Sequence, residues 1–281
     1  MPEIAVTPRG PYSLALSARF SSDATRLFRD GVFTARYRGE VAQARQLPDG
    51  TVTIRADSAA AAEKLRWVLA LDDDHSEFLR RFRTDPLIGR ATVQLRGLRP
   101  VRTATVAHAL LRAVCGQLID ARTARANERR VIRSLSAVDA DGLFEPPTTD
   151  MLGALAPLEL RRLGLHERRG AALVRLCRSV ELERLHGAPT ETVVARIGRE
   201  RGLGPWSAGV VCLEGLGRYE HGLVGDLGLV KYVRALRGRE VETWETAELL
   251  EPYGEWAGLA SVYLLLGLGR GLVPIAAANA A

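Results

Sequence analysis

Hydrophobic and polar residues alternate in short stretches near the start of the chain. The stretches FTARYRGEVAQARQL and TVTIRA, within residues 12–70, show the period of two that is typical of half-buried strands. The turn residues PDG at 48–50 lie between them and predict a hairpin. The segment SAAAAEKLRWVLAL at 58–71 has a helical composition instead. Residues 1–73 are therefore predicted to form a small mixed α/β lobe with an antiparallel sheet.

From residue 74 onward the apolar residues recur three and four positions apart, which predicts amphipathic helices. The stretches with this pattern are HSEFLRRFR, VAHALLRAVCGQLIDARTARANERRVIRSL, TDMLGALAPLELRRLGL, ERRGAALVRLCRSVELERL and TETVVARIG. Residues 74–281 are thus predicted to form a larger, all-α domain. The predicted fold class is α+β.

The net positive charge is compatible with binding to a polyanion but does not establish it. The chain of 281 residues has 39 basic and 33 acidic residues, a net charge of +6, and all but two of the basic residues are arginine. Such an excess permits binding to nucleic acid. An arginine-rich genome would produce the same composition.

The cysteines and the apolar runs limit the other function classes. Cys115, Cys177 and Cys212 are scattered and have no metal-ligand spacing, so we expect buried, reduced thiols and neither a zinc site nor an iron–sulfur cluster. The start of the chain does not have the pattern of a signal peptide. The longest apolar run, residues 257–269, is shorter than the roughly 20 residues that span a bilayer. We therefore expect a cytoplasmic protein that makes no membrane contact.

The segment RGLGPWSAG at 201–209 places two glycines, a proline and a tryptophan in front of an apolar run. Glycine adopts positive φ at little cost and lets the backbone approach a ligand closely, and Pro205 suits the first turn of a helix. The N–H groups at such a helix start can bind a DNA phosphate. Taken alone, the signal is weak, and a plain turn between two helices explains the segment better.

A second signal comes 20 residues after Trp206, in GDLGLVKYVRAL. Asp226 stands directly before a helical pattern, where aspartate is a preferred N-cap, so a purely structural role would also explain it. The combination of a glycine hairpin, an aromatic residue and an acidic helix start favours a functional site.

With these motifs the chain resembles the helix-hairpin-helix DNA glycosylases, and most closely the bacterial 3-methyladenine DNA glycosylase II branch. The hairpin at 198–206 and DLGL at 226–229 are the specific part of the resemblance. Weaker support comes from further stretches in the same order as in the family, namely PYSLAL, DP at 85–86, LLRAVCGQLIDARTA, LRRLGLHERRGAALVRL and PYGEWAGLASVYLL.

The resemblance implies a set of residues around a base pocket. Asp226 matches the catalytic aspartate, Trp206 matches an aromatic residue of the base pocket, and Tyr263 lies near a second aromatic position. Leu118 matches the residue that wedges into the duplex at the vacated base, with Gln117 beside it.

The resemblance also implies contacts at the hairpin. Gly202 and Gly204 match the glycines that face a DNA phosphate, and Arg201 stands where the family usually has a proline. A monovalent cation, Na⁺ or K⁺, would be held by main-chain carbonyl groups, which the resemblance places at Gly198, Glu200 and Leu203. No other cofactor is implied.

The activity implied is removal of alkylated purines such as 3-methyladenine and 7-methylguanine from double-stranded DNA, by a monomeric enzyme of base excision repair. Lyase relatives have a lysine shortly after the hairpin, where this chain has Trp206, so strand cleavage is not expected. Two alternatives stay open: excision of oxidised or deaminated bases such as 8-oxoguanine or hypoxanthine, and binding of lesion DNA without turnover.

Overall fold

The computed structural model describes residues 2–275 of the protein. A five-stranded antiparallel sheet forms the first part of the chain. In the sheet the strand order is β1-β5-β4-β3-β2. The strands are β1 (Glu3–Val6), β2 (Arg26–Arg29), β3 (Val32–Tyr37), β4 (Glu40–Gln46) and β5 (Val52–Ala56). The sheet and the helical remainder confirm the mixed α+β class.

Two hairpin turns connect the three central strands. The predicted turn at 48–50 joins β4 to β5, and Gly50 has φ +92° there. The first alternating stretch, however, is two strands rather than one, because Arg38 and Gly39 both adopt positive φ and reverse the chain. This pair of left-handed residues is the backbone that a two-residue hairpin requires. Arginine gives little sequence signal for it.

Two helices, α1 (Leu14–Ala18) and α2 (Ala59–Val68), accompany the sheet. The hydroxyl of Ser58 caps the start of α2 by accepting the N–H of Ala61 at 3.1 Å. One apolar cluster joins α1 and α2 to the inner face of the sheet, with Phe33 and Ile54 fully buried.

The rest of the described chain is helical. Its α-helices are α3 (Ser76–Arg81), α4 (Gly89–Gln94), α5 (Val106–Gly116), α6 (Ala121–Leu135), α7 (Thr149–Ala154), α8 (Pro157–Arg162), α9 (Glu167–Ser179), α10 (Thr190–Gly198), α11 (Pro205–Val210), α12 (Leu227–Arg237), α13 (Glu245–Leu250) and α14 (Ala257–Leu268). Leu182–Gly187 and Glu251–Trp256 are 3₁₀-helical, and α11 continues into a π-helical turn, Val211–Gly215.

Helix α5 is the centre of the helical part and is buried along most of its length. One apolar cluster packs it against α6 and α9, and a second cluster surrounds α14. The periodic stretch that the sequence shows as continuous is divided between α5 and α6, since Gln117 has an extended backbone that ends the first helix and Leu118 adopts φ +53° after it.

The two predicted domains are in contact. The N–H of Phe144 donates to the carbonyl of Ala24, and Ala24 belongs to the apolar cluster around α5. The boundary at residue 73 stays a prediction. The end of the predicted second domain, 276–281, lies outside the described residues.

The three cysteines are buried, as expected. Burial raises the pKa of the Cys177 and Cys212 thiols to about 12, and it raises that of Cys115 further. Within residues 2–275 no helix has both the length and the apolar character to cross a membrane.

Candidate active site

A cavity of about 860 Å³ opens between the sheet region and the helical part. Its walls come from α5 and the turn after it, the hairpin with α11, the start of α12 and the segment 16–26. The volume is in the upper part of the range found for small-molecule sites. Both sequence motifs, the hairpin and the acidic helix start, therefore contribute to one concave site.

Asp226 and Trp206 meet at this cavity. The indole Nε1–H of Trp206 donates to Asp226 Oδ2 at 3.0 Å. The other carboxylate oxygen, Oδ1, accepts the N–H groups of Gly228 at 2.8 Å and Leu229 at 3.3 Å, which makes Asp226 the N-cap of α12. Asp226 thus both caps α12 and lines the cavity, and hydrogen bonds to both of its carboxylate oxygens fix its orientation.

Gly116 makes room for the Trp206 ring. A Cβ atom at position 116 would lie 2.7 Å from Trp206 Cη2, which is too close for a real contact. The indole therefore reaches across the cavity from Asp226 on one side to the last residue of α5 on the other. This tight placement holds the ring in position as one wall of the cavity.

The hairpin lies next to this ring and is tied to the turn after α5. Gly202 has φ +98°, the conformation that its glycine was expected to allow. Gly204 has an extended backbone instead and is the N-cap of α11, with open space where a side chain would be. Gln117 donates from Nε2 to the carbonyl of Gly202 at 2.8 Å and to Ser207 Oγ at 3.0 Å. The amide of Gln117 thus braces the hairpin.

Leu118 projects from the turn between α5 and α6 and is 75% exposed. A non-glycine residue with positive φ is uncommon, and a large exposed apolar side chain there gains little from folding. Leu118 is therefore not a core residue of a helix. Its position at the rim of the cavity is compatible with the wedge role, which stays a prediction.

The prediction that Tyr263 lines a base pocket is wrong. Tyr263 is fully buried, its ring packs 5.0 Å from that of Phe78, and its hydroxyl donates to the carbonyls of Leu95 and Leu98. The preceding residue, Val262, lines the cavity instead. On an α-helix neighbouring residues point about 100° apart, so a shift of one position moves the side chain from the cavity to the core.

The remaining predicted hairpin residues are not tested by contacts in the structure. Arg201 is exposed, and the carboxylate of Glu200 pairs with Arg175 at 2.6 Å. Gly198 ends α10, and Leu203 is buried. Whether the carbonyls of Gly198, Glu200 and Leu203 bind a cation stays a prediction.

Two exposed aromatic residues at the cavity were missed by the sequence reasoning. Phe20 follows α1 and is 52% exposed, and Trp244 precedes α13 and is 60% exposed. Both line the cavity. Neither belongs to a recognised motif, and only the fold brings them to the cavity that Trp206 also lines.

A charged cluster closes the inner end of the cavity. We define it as Asp23, Arg112, Glu128 and Glu214, with His108 behind it. The Arg112 guanidinium lies 2.7 Å from carboxylate oxygens of Asp23 and Glu214 and 2.9 Å from that of Glu128. His108 Nε2 lies 2.8 Å from Glu128 Oε1.

Ion pairs within the charged cluster offset the desolvation of its side chains. Desolvation alone would raise the pKa of Asp23, but Arg26, His108 and Arg112 hold it well below its usual range. Desolvation alone would lower the pKa of Arg112, but the surrounding carboxylates raise it well above its ordinary value. Direct ion pairs thus keep the buried carboxylates of Asp23 and Glu128 ionised, since both pKa values are lowered.

The overall structure is similar to that of known DNA glycosylases. A 3-methyladenine DNA glycosylase from Archaeoglobus fulgidus superposes with a TM-score of 0.81 over 96% of this chain and 99% of its own, at 19% identity. The chain has the helix-hairpin-helix DNA glycosylase fold. This confirms the fold that the hairpin and DLGL motifs implied.

Other proteins share the helix-hairpin-helix glycosylase fold but differ in substrate. The 8-oxoguanine glycosylase/lyase of Clostridium acetobutylicum, solved with double-stranded DNA, has a TM-score of 0.78 over 92% of this chain and 93% of its own, at 15% identity. In sequence, the DNA-3-methyladenine glycosylase of Bacillus subtilis is 25% identical over 204 residues, 69% of this chain and 67% of that protein. No family model matches the chain.

Proposed function

We propose that the protein is a DNA glycosylase of base excision repair that flips alkylated purines out of double-stranded DNA and hydrolyses their N-glycosidic bond. The observation that supports this most is the hydrogen bond between Trp206 and Asp226 at the wall of the cavity. It joins an aromatic platform to a carboxylate whose direction is fixed by a helix start.

The Trp206 ring and the Asp226 carboxylate together suit a reaction in which the leaving base is positively charged. Departure of the base leaves positive charge on the sugar, and a carboxylate near the anomeric carbon stabilises this charge and orients or deprotonates water. An alkylated purine that is already positively charged gains roughly 0.5 to 2 kcal/mol from stacking on an aromatic ring such as Trp206. Asp226 is the residue we assign to the first role and Trp206 the residue we assign to the second.

Base flipping needs a residue to fill the gap in the duplex and a surface to hold the DNA backbone. Flipping costs a few kcal/mol, and a wedge at the vacated position offsets part of it. Leu118 is exposed beside the cavity, and α6 begins directly after it with exposed arginines at 122 and 125. Neither arginine forms an ion pair with any residue from 2 to 275, so both can meet phosphates.

The positions of the two lysines support a monofunctional reaction. A lyase needs an amine that reaches the sugar. The Lys64 ammonium donates to the carbonyl of Ala104 and lies over the Trp67 ring, 4.6 Å from its centre. Lys231 lies beyond the first turn of α12. Neither is among the described residues that line the cavity. We therefore infer hydrolysis without strand cleavage.

The decisive experiment compares wild-type protein with Asp226→Asn on methylated duplex DNA, with released free bases resolved by chromatography. We expect the wild type to release 3-methyladenine and 7-methylguanine, and the variant to be slower by about 10² to 10⁴-fold, the usual contribution of a general acid or base. Asparagine also caps helices, so the variant should fold.

Asp85→Asn is the matched control. Asp85 Oδ1 accepts two backbone N–H groups, those of Leu87 and Ile88, as Asp226 Oδ1 does, but Asp85 does not line the cavity. Equal rates for wild type and Asp226→Asn would refute the catalytic role. Binding without release by the wild type would instead indicate a lesion binder.

A further inference from the structure

The inner end of the cavity holds charged groups for which the proposed reaction has no use. Arg112 and Glu214 both line the cavity, and their side chains are 23% and 25% exposed. Their partners Asp23 and Glu128 are only 4% and 3% exposed. Within the charged cluster, Arg112 and Glu214 are therefore the side chains that a ligand in the cavity can reach best.

The Trp206 ring defines where a flipped base would point. One end of the indole bonds to Asp226, and the other end lies against Gly116 at the end of α5. A base that stacks on this ring while its sugar lies at Asp226 extends toward Gly116. Its far edge, the Watson–Crick edge of a purine, is then directed to the inner end of the cavity.

Arg112 and Glu214 line the same cavity and lie on the helices that carry Gly116 and Trp206. Arg112 is four residues before Gly116 on α5, which is about 6 Å along the helix axis. Glu214 is eight residues after Trp206, on the π-helical turn that continues α11, which is roughly 12 Å along the axis of α11. The two side chains are joined at 2.7 Å, so they form a single group between the two helices.

Glu214 contributes a free hydrogen-bond acceptor to this group. The nitrogens of Arg112 already donate to Asp23, Glu128 and Glu214. Glu214 accepts through Oε2, while its Oε1 accepts no hydrogen bond from the described part of the chain. A carboxylate can accept hydrogen bonds but cannot donate them. The cavity therefore offers a fixed acceptor to the edge of the base.

Guanine and adenine present different edges to such an acceptor. Guanine derivatives have two adjacent donors, N1–H and the 2-amino group, which a carboxylate can accept together. Adenine derivatives have one donor, the 6-amino group, beside the lone pair of N1, which repels a carboxylate oxygen. An unpaired buried lone pair is costly, so a site of this type discriminates between the two edges.

We propose that Glu214, held in place by Arg112, reads the Watson–Crick edge of the flipped base and favours guanine-derived lesions over adenine-derived ones. The proposal rests on the proposed glycosylase function and specifies the substrate class of the same cavity. Glu214 is then a specificity residue that contacts the base, and Arg112 is a positioning residue that acts through it.

Methylated duplex DNA supplies a matched pair of substrates. Both 7-methylguanine and 3-methyladenine are positively charged in DNA, so stacking on Trp206 favours both, and they differ in the edge that would face Glu214. The experiment measures single-turnover release of the two bases by wild type and by Glu214→Gln. The ratio of variant to wild type cancels the different intrinsic stability of the two glycosidic bonds.

We expect Glu214→Gln to slow release of 7-methylguanine by about tenfold or more, the size of a lost specific base contact, with 3-methyladenine release close to the wild-type rate. Glu248→Gln is the control, because it alters an ion pair with Arg237 outside the cavity. Equal slowing of both bases by Glu214→Gln would overturn the proposal, since a structural defect affects both substrates alike.

A binding measurement separates this proposal from the proposed function. The protein is bound to a duplex with a tetrahydrofuran abasic analogue, and the affinities of free 7-methylguanine and free 3-methyladenine are measured by calorimetry. A loss of affinity in Glu214→Gln for 7-methylguanine alone supports edge reading even where wild type releases no base, a result that would refute only the glycosylase proposal. Equal affinity of wild type for both bases, or binding of neither, overturns edge reading.

Discussion

The two ends of the cavity are built in different ways. At the outer end, Trp206 and Asp226 come from motifs only 20 residues apart, and each is placed by a helix start. At the inner end, the charged cluster comes from segments around residues 23, 112, 128 and 214. The outer end depends on local backbone geometry, whereas the inner end depends on long-range ion pairs that also connect the sheet region to the helices.

This difference predicts that substitutions at the inner end affect stability most, and substitutions at the outer end affect activity most. A buried ion pair contributes little net stability when complete, but removal of one partner leaves an uncompensated charge. A hydrogen bond at a partly exposed helix start has no such penalty. The following predictions test the comparison from the largest effect on stability to the smallest.

Arg112→Met should have the largest effect. It leaves the carboxylates of Asp23, Glu128 and Glu214 together without the guanidinium that links them, so we expect a loss of about 3 to 5 kcal/mol in the free energy of unfolding. Urea denaturation measures it. Arg161→Met, which removes an exposed pair with Glu167, should change stability by about 1 kcal/mol at most. Similar small losses in both variants would show that the charged cluster is not a stabilising unit.

The charged cluster should also make stability depend on pH. The folded pKa values of Asp23 and Glu128 are depressed, so their contribution is present above the unfolded values, roughly 3.9 and 4.3, and is lost as pH falls below them. Unfolding free energies of the wild type should therefore decrease between pH 5 and pH 3, a window set by those same reference values.

Asp23→Asn tests the source of this pH dependence. The variant should be less stable than the wild type at pH 7 and should lose less stability on acidification, since one of the titrating groups is gone. Denaturation at three pH values gives both slopes. Parallel curves for the two proteins would exclude Asp23 as a contributor.

Gly116→Ala should have a moderate effect on stability and a clear effect on activity. The added methyl lies 2.7 Å from Trp206 Cη2, so the indole must move, at a cost of roughly 1 to 3 kcal/mol, and its hydrogen bond to Asp226 is disturbed. Base release and melting temperature are the two readouts. Gly187→Ala is the control, because open space surrounds that position. Unchanged base release in Gly116→Ala would show that the indole position is unimportant.

Leu118→Ala should have the smallest effect on stability. Its side chain is 75% exposed, so the free energy of unfolding should change by no more than about 0.5 kcal/mol. Base release from duplex DNA should nevertheless become slower, because the wedge no longer offsets the cost of flipping. Single-stranded methylated DNA, which needs no wedge, should be processed at the wild-type rate. Val138→Ala, at another exposed apolar position, should change neither rate.

Local motifs made part of the site predictable. Gly202 adopts the positive φ that its residue type allows, and Asp226 is the N-cap that its place before a helical pattern indicated. Such features depend on the nearest few residues, so they can be derived from sequence. The Arg38–Gly39 turn was missed because arginine does not signal a left-handed backbone.

Side-chain direction on buried helices could not be predicted in the same way. Tyr263 and Val262 are neighbours on α14, a helix that is apolar nearly all round, so its pattern does not show which face meets the cavity. Phe20 and Trp244 stand outside every motif, and the packing of the sheet region and of α13 brings them to the cavity. Exposed aromatic residues in loops carry no periodic signal.

The sequence by itself determined the α+β class, the sheet followed by helices, the glycine hairpin and the acidic helix start, because periodicity, turn residues and caps act over a few residues. Only the tertiary structure decided that Trp206 bonds to Asp226, that Tyr263 is buried in the core, and that Arg112 joins three carboxylates at the inner end of the cavity. The Trp206–Asp226 bond and the ion pairs of Arg112 join residues 16 to 102 positions apart in the chain, and the partners of Tyr263 are more distant still. The energy of these contacts depends on burial and distance, which become defined only when the helices pack.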